Sequence, residues 1–232
     1  MTAFVLVHGG WHGGWCWHRV APILRAAGHD VFTPTMTGLG ERSHLVHRDI
    51  TPSDHVQDVR NVLRFEDLAD VVLVGHSYGG FIVSGVAAED AARLKALIYV
   101  DAFVPEASGE AAQDTAPPGR VAVTEEHTKD GLVAPYGFDR WAGLAEDQDW
   151  LRRFATPHPA RCFSEGVTLT GREQEVPRKL YILCTRHKPS PFWAAHARVK
   201  ALPDWEVAEM DCLHDAMVEA PEELAAHLLR YA

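Results

Sequence analysis

Four short apolar runs punctuate the chain: Phe4 to Val7, Val71 to Val74, Leu97 to Val100 and Leu180 to Cys184. Unbroken runs of that length predict strands covered on both faces, as in a parallel sheet, because a half-exposed strand would alternate. Weaker runs at Val31-Phe32 and Val207 to Met210 add two candidate strands. Helical spacing fills the gaps between them. Val20, Ile23, Leu24 and Ala27 fall on one face of a helix that Gly28 stops before the strand at Val31. Thr51-Pro52-Ser53-Asp54 opens another, with Thr51 as N-cap, Pro52 in the first turn and Asp54 as reciprocal capping partner; Val56, Val59 and Leu63 form its buried face. Pro221 begins a closing helix with Leu224, Leu228 and Leu229 at helical spacing. Such alternation predicts an α/β chain with right-handed crossovers and one mostly parallel central sheet flanked by helices. All strand C-termini then share one edge, where sheets of this kind carry their sites.

Between Ala102 and Arg178 the alternation lapses. Pro105, Pro117, Pro118, Pro135, Pro157 and Pro159 interrupt short apolar pieces that include Trp141 and Trp150, which predicts an irregular lid of small helices rather than sheet. The expected organisation is a core of residues 1–101 and 179–232 with a lid inserted at 102–178. A chain of 232 residues has room for one such domain. With 47% hydrophobic and 23% charged residues it fills a core, which excludes disordered, collagenous and coiled-coil classes. A formal net charge of −10 repels phosphate backbones and anionic lipid, so neither nucleic acid nor membrane is an expected partner. Met1 to Val7 lacks a basic leader and breaks at His8-Gly9-Gly10, which predicts the first strand of a cytoplasmic protein rather than a signal peptide or a membrane span. Cys16, Cys162, Cys184 and Cys212 are scattered and expected to be reduced, buried fillers.

The run at Val71 to Val74 leads directly into Gly75-His76-Ser77-Tyr78-Gly79-Gly80 and then into an apolar helical stretch, Phe81 to Ala88. G-x-S-x-G between a strand and a helix is a nucleophile elbow: the tight turn lifts Ser77 above the sheet edge, beside the helix-start amides that stabilise an oxyanion. A serine hydroxyl needs a positioned base at neutral pH. Of 14 histidines, His214 stands where the chain order of this motif asks for one, after the last strand and before the closing helix. His76 is expected to point away and pack. His8-Gly9-Gly10-Trp11-His12-Gly13-Gly14-Trp15 follows the first strand and therefore lies at the same edge. It fits neither a dinucleotide nor a phosphate loop, and its glycines oppose a helical His8/His12 metal pair, so no metal or cofactor is expected. Its expected use is half of an oxyanion hole, with the Gly10 amide joining that of Tyr78.

On the elbow, that first loop and the His214 segment, the chain resembles the α/β-hydrolase superfamily. More narrowly it is similar to the group of plant methylesterases and hydroxynitrile lyases with their bacterial esterase relatives. The likeness runs through Phe4 to Trp17, Gly28 to Val31, Gly75 to Gly80, Leu97 to Pro105, Leu180 to Thr185 and His214 to Met217, and only the lid matches poorly. The resemblance implies a triad acid in the loop after the Leu180 to Cys184 strand. Here that loop reads Thr185-Arg186-His187-Lys188-Pro189, and no carboxylate occurs from Val176 to Pro203. The acid is therefore expected at Asp101, which ends the strand that superfamily order places beside the nucleophile strand, an arrangement that some lipases of the superfamily share. The competing reading has Asp101 capping the turn at Ala102-Phe103. Asp211 and Asp215 are too near His214 in the chain to reach its far nitrogen comfortably.

The resemblance further implies ester hydrolysis through an acyl-enzyme. Cyanohydrin cleavage is disfavoured, because the lyases of the group carry Thr where this chain has Gly9 and Lys where it has Asp215. Trp11, Phe103 and Trp141, with Trp15, Trp150, Phe192 and Trp193, are expected to line an apolar pocket for a small or medium, apolar or aromatic ester with a neutral acyl group. A small-molecule receptor that has lost catalysis, and a lyase, thioesterase or cyclase of specialised metabolism, stay open as alternatives. So does a homodimer.

Overall fold

The computed structural model describes residues 1–115 and 127–232, so Pro117 and Pro118 of the inserted stretch lie outside the described residues. The first half runs β1 (Ala3–Val7), α1 (Ala21–Ala26), β2 (Asp30–Phe32), α2 (Pro52–Phe65), β3 (Val71–His76), α3 (Gly79–Asp90) and β4 (Leu94–Val100). The inserted stretch holds β5 (Thr128–Lys129), β6 (Leu132–Val133), α4 (Phe138–Trp141), α5 (Ala145–Phe154), β7 (His158–Pro159) and α6 (Arg161–Ser164). The chain then closes with β8 (Lys179–Cys184), α7 (Phe192–Lys200), β9 (Trp205–Met210), α8 (Ala216–Glu219) and α9 (Pro221–Leu229).

The main sheet has the order β2-β1-β3-β4-β8-β9, and every pairing in it is parallel. Each predicted apolar run became one of these strands, and β3 and β8 are buried along their full length. Successive side chains of a strand serve opposite layers. Val5 and Val7 of β1 pack with α2, α3 and α7, whereas Phe4 and Leu6 pack with α1 and α9. With helices on both faces, all strand ends that can hold chemistry open onto one edge.

Local signals acted as read at the helix starts. Thr51 and Asp54 form the reciprocal cap of α2, the Thr51 amide and hydroxyl donating to Asp54 Oδ2 at 2.8 and 2.9 Å. Gly28 ends the α1 turn with φ +88°, although Ala27, expected on the buried face, is exposed because α1 closes one residue earlier. The buried side of α2 holds His55 beside Val59 and Leu63, with Val56 at its margin.

The inserted stretch departs from expectation in one respect. It carries a small antiparallel sheet, β5-β6-β7, where only small helices were expected. Asp130 and Gly131, with φ of +54° and +79°, supply the left-handed turn that joins β5 to β6. Two-residue strands are too short to show a period of their own. Among the described residues no helix is long and apolar enough to cross a membrane. The four cysteines are buried and free.

Candidate active site

Ser77 sits at the sharp junction of β3 and α3 with φ +54°, a left-handed conformation that costs a non-glycine residue free energy. Neighbouring backbone holds it there: its amide donates to Val100 O at 3.2 Å, and its carbonyl accepts from Gly80 and Phe103. The turn closes only without side chains at its flanks. A Cβ at Gly75 would lie 2.7 Å from Gly79 O, and one at Gly79 would lie 2.7 Å from His8 O. Trp11 and Asp101 share the left-handed region, with φ of +63° and +42°. Left-handed backbone thus occurs beyond the C-terminal ends of β1, β3 and β4, as it does at Asp67, Asp70 and Asp130 elsewhere.

His214 leaves β9 through a short loop and reaches back over the sheet edge. Its Nε2 lies 2.8 Å from Ser77 Oγ and its Nδ1 2.6 Å from Asp101 Oδ2. Asp101 is wholly buried at the end of β4; among the described residues its side chain takes no bond from the turn at Ala102-Phe103, and its Oδ1 accepts from the Cys184 amide at 3.3 Å. Burial pushes the Asp101 carboxyl up, against the pull of the hydrogen bond from His187. Burial also holds His214 well below the ordinary histidine range, which favours a neutral imidazole able to accept a proton. His76, adjacent to the nucleophile, points away as expected, yet it is more than packing. Its Nε2 donates to the His214 carbonyl at 3.0 Å, and burial lowers it to about 3, so it stays neutral.

The first loop lies against the elbow, since a Cβ at Gly9 would meet Ser77 Cβ at 2.9 Å. Among the described residues neither the Gly10 nor the Tyr78 amide has a protein acceptor. A buried ion pair ties this loop to the segment carrying His214. His12 donates from Nδ1 to Gly10 O at 2.6 Å and from Nε2 to Asp215 Oδ2 at 2.9 Å. Both partners only accept, so the ring carries both protons. Burial pulls His12 down, but the charge and hydrogen bond of Asp215 outweigh it and hold the ring above its ordinary value. Asp215, which the sequence offers as a bare negative neighbour of His214, has its charge matched.

Trp11 packs against Trp141 at 5.6 Å and Phe163 at 5.2 Å, and Trp141 is buried. Phe103 lies instead between Phe81 and Phe192, 4.9 Å from each. Sequence reasoning missed His187, His55 and His158. Lone histidines carry no motif; the only signal was the loop after β8, which lacks a carboxylate. His55 donates from Nε2 to Thr37 O and accepts at Nδ1 from the Tyr78 hydroxyl, 3.0 Å away, while His158 Nδ1 accepts the Trp11 amide. With Cys162 these rings form a group able to hold a cation, all three ligand atoms lying within 4.8 Å of one another. Coordination would have to break the Tyr78 bond and move a proton that the Trp11 amide fixes on His158 Nε2.

The sequence model of the alpha/beta hydrolase family matches residues 4–227. A carbendazim hydrolyzing esterase from Nocardioides sp. (strain SG-4G) is 38% identical over 98% of each chain. Methylesterase 9 of Arabidopsis thaliana is 29% identical over 100% of this chain and 98% of its own. Among solved structures, an extracellular alpha/beta-hydrolase from a Paenibacillus species superposes with a TM-score of 0.86 over 100% of this chain and 99% of that one, at 24% identity, which speaks to the fold alone. With the parallel sheet, the strained elbow and a family match across nearly the whole length, the chain belongs to the alpha/beta hydrolase family.

Proposed function

We propose that this chain is a serine esterase that cleaves small to medium, apolar or aromatic carboxylic esters through an acyl-enzyme on Ser77. The coarse class, an esterase-type alpha/beta hydrolase, rests on the relatives. The finer reading is supported by one observation: an unbroken hydrogen-bonded chain runs from Ser77 Oγ through His214 to Asp101, with steps of 2.8 and 2.6 Å. In this reading neutral His214 takes the Ser77 proton as the hydroxyl attacks the ester carbonyl. Asp101 holds the Nδ1–H tautomer and stabilises the imidazolium that forms. The Gly10 and Tyr78 amides receive the oxyanion, each worth on the order of 3 kcal/mol of barrier. His214 then protonates the leaving alcohol, and water repeats the cycle to release the acid. Residues 102–178 form the cap, and Trp11, Phe103 and Trp141 supply apolar surface for the substrate. The cap leans on the core through Trp11, whose indole donates to Val133 O at 3.0 Å, and through Thr156, which donates to Trp11 O.

The test is turnover of short-chain p-nitrophenyl esters, a methyl and aryl ester panel and carbendazim, with labelling by a serine-reactive phosphonate. Turnover and labelling are expected in the parent and absent in Ser77→Ala. Asp101→Asn is expected to lower kcat about 10⁴-fold by reversing the tautomer of His214. Turnover by Ser77→Ala at the parent rate would overturn the reading; an unchanged Asp101→Asn would overturn the acid.

A further inference from the structure

We propose that His187 is a positioning residue of the reaction: with its Nε2 turned to the Arg140 guanidinium, it gives Asp101 a second N–H donor and keeps that carboxylate ionised and aimed at His214. The inference rests on the esterase reading above and goes beyond it, because it concerns how the acid is held once the loop after β8 no longer supplies a carboxylate.

Asp101 Oδ2 has two imidazole partners, His214 Nδ1 at 2.6 Å and His187 Nδ1 at 2.7 Å. The other nitrogen of His187 faces a guanidinium, Arg140 Nη2, at 3.2 Å. A guanidinium only donates, so His187 Nε2 presents a lone pair and the ring's single proton sits on Nδ1, facing the carboxylate. The arrangement is fixed from several sides. Arg140 is anchored on Pro189 O at 2.6 Å, the His187 carbonyl accepts from the Trp193 indole at 3.2 Å, and the His187 amide donates to Cys184 O. Its ring lies against that of His214, with centroids 4.4 Å apart.

The chemistry explains why a neutral donor belongs there. A carboxylate wholly out of water is pushed toward its protonated form unless hydrogen bonds to the charged form compensate. The Cys184 amide supplies one such bond to Oδ1, and His187 supplies the other that does not depend on the catalytic base. A cation at His187 would instead oppose the imidazolium that His214 becomes during the reaction. The other titratable groups around Asp101 are His76, the Cys184 thiol and the Tyr181 phenol; burial keeps all three uncharged near neutral pH.

Two measurements test this. In the first, His187→Ala is compared with His187→Asn, whose amide nitrogen stands near the place of Nδ1. Alanine is expected to lower kcat about 10- to 100-fold, the range of a lost bond to a charged group, with KM within about twofold and the acid limb of the kcat/KM profile moved to higher pH. The upward direction follows because losing the donor raises the Asp101 carboxyl and also makes His214 more basic. Asparagine is expected to restore most of kcat. A parent-like rate and pH profile in His187→Ala, or equal losses in both variants, would overturn the proposal while leaving Ser77 labelling, and hence the esterase reading, intact. The second measurement is independent of turnover: imidazole ¹⁵N spectra of the parent near neutral pH are expected to show His187 as the neutral Nδ1–H tautomer, lost in Arg140→Ala. An imidazolium or an Nε2–H tautomer at His187 would overturn it whatever the activity.

Discussion

Asp215 and His12 stand face to face with 0% and 2% of their side chains exposed, and each is bearable there only because of the other. Removing one partner leaves an uncompensated buried charge, which costs about 3–5 kcal/mol, whereas replacing both with apolar groups can be nearly neutral. Asp215→Ala and His12→Ala are therefore each expected to lower Tm by roughly 10 °C. The double variant His12→Leu, Asp215→Leu is expected to lose less than either single change, which calorimetry on the three proteins checks. Losses that simply add would show that the two residues act separately. Because His12 also holds Gly10 O, the alanine variants are further expected to lower kcat by loosening the first loop. None of this was legible in the sequence: His12 was visible only as a poor metal ligand and Asp215 as a charge beside His214.

At the scale of elements, the elbow depends on how closely β3 passes α3. A methyl at Gly75 would meet Gly79 O and Val83 Cγ2, both at 2.7 Å, and the first of these is backbone that cannot swing aside. Gly75→Ala is accordingly expected to cost about 1–3 kcal/mol by overpacking. By shifting Ser77 relative to His214 it should also lower kcat about 10²-fold, since displacements near 1 Å cost that much. Urea melts and steady-state kinetics on one preparation check both, and unchanged kinetics would contradict the steric argument. The elements themselves were largely legible. Strands covered on both faces show as unbroken apolar runs, and the cap of α2 shows as Thr51-Pro52-Ser53-Asp54. The β5-β6-β7 sheet was not, because its strands are held by one left-handed turn and by contacts across the insert.

For the whole molecule, the dominant pH term is a set of buried imidazoles. His8, His55, His76, His158 and His214 are all lowered, chiefly by burial, with His8 and His76 reaching about 3. A histidine with a depressed folded pKa gives its full stability above its unfolded value of about 6.5 and loses it as pH falls toward the folded value, because the unfolded chain binds the proton first. His12 has the opposite sign, its contribution full below about 6.5 and lost as pH rises through its elevated folded value. Among the described residues His18, His196 and His227 are lowered as well, so the lowered imidazoles outnumber the raised one. Tm is expected to fall steadily from pH 6.5 toward pH 3 with an uptake of more than one proton on unfolding, which scanning calorimetry across that range checks. A flat Tm down to pH 4 would contradict it.

The sequence by itself determined the parallel sheet, the elbow at Ser77 and the return of His214 to it, since these follow from short-range patterns and from a chain order that parallel crossovers impose. Through the missing carboxylate after β8 it offered Asp101 as the candidate acid. Only the tertiary structure decided what surrounds that acid. The three bonds Asp101 receives come from Cys184, His187 and His214, between 83 and 113 residues away, brought together because β4 and β8 are neighbours and their ends share an edge. Which of 14 histidines is charged, neutral, donor or acceptor depends on burial and on the atom facing each nitrogen. Those are properties of packed space, to which a linear pattern has no access.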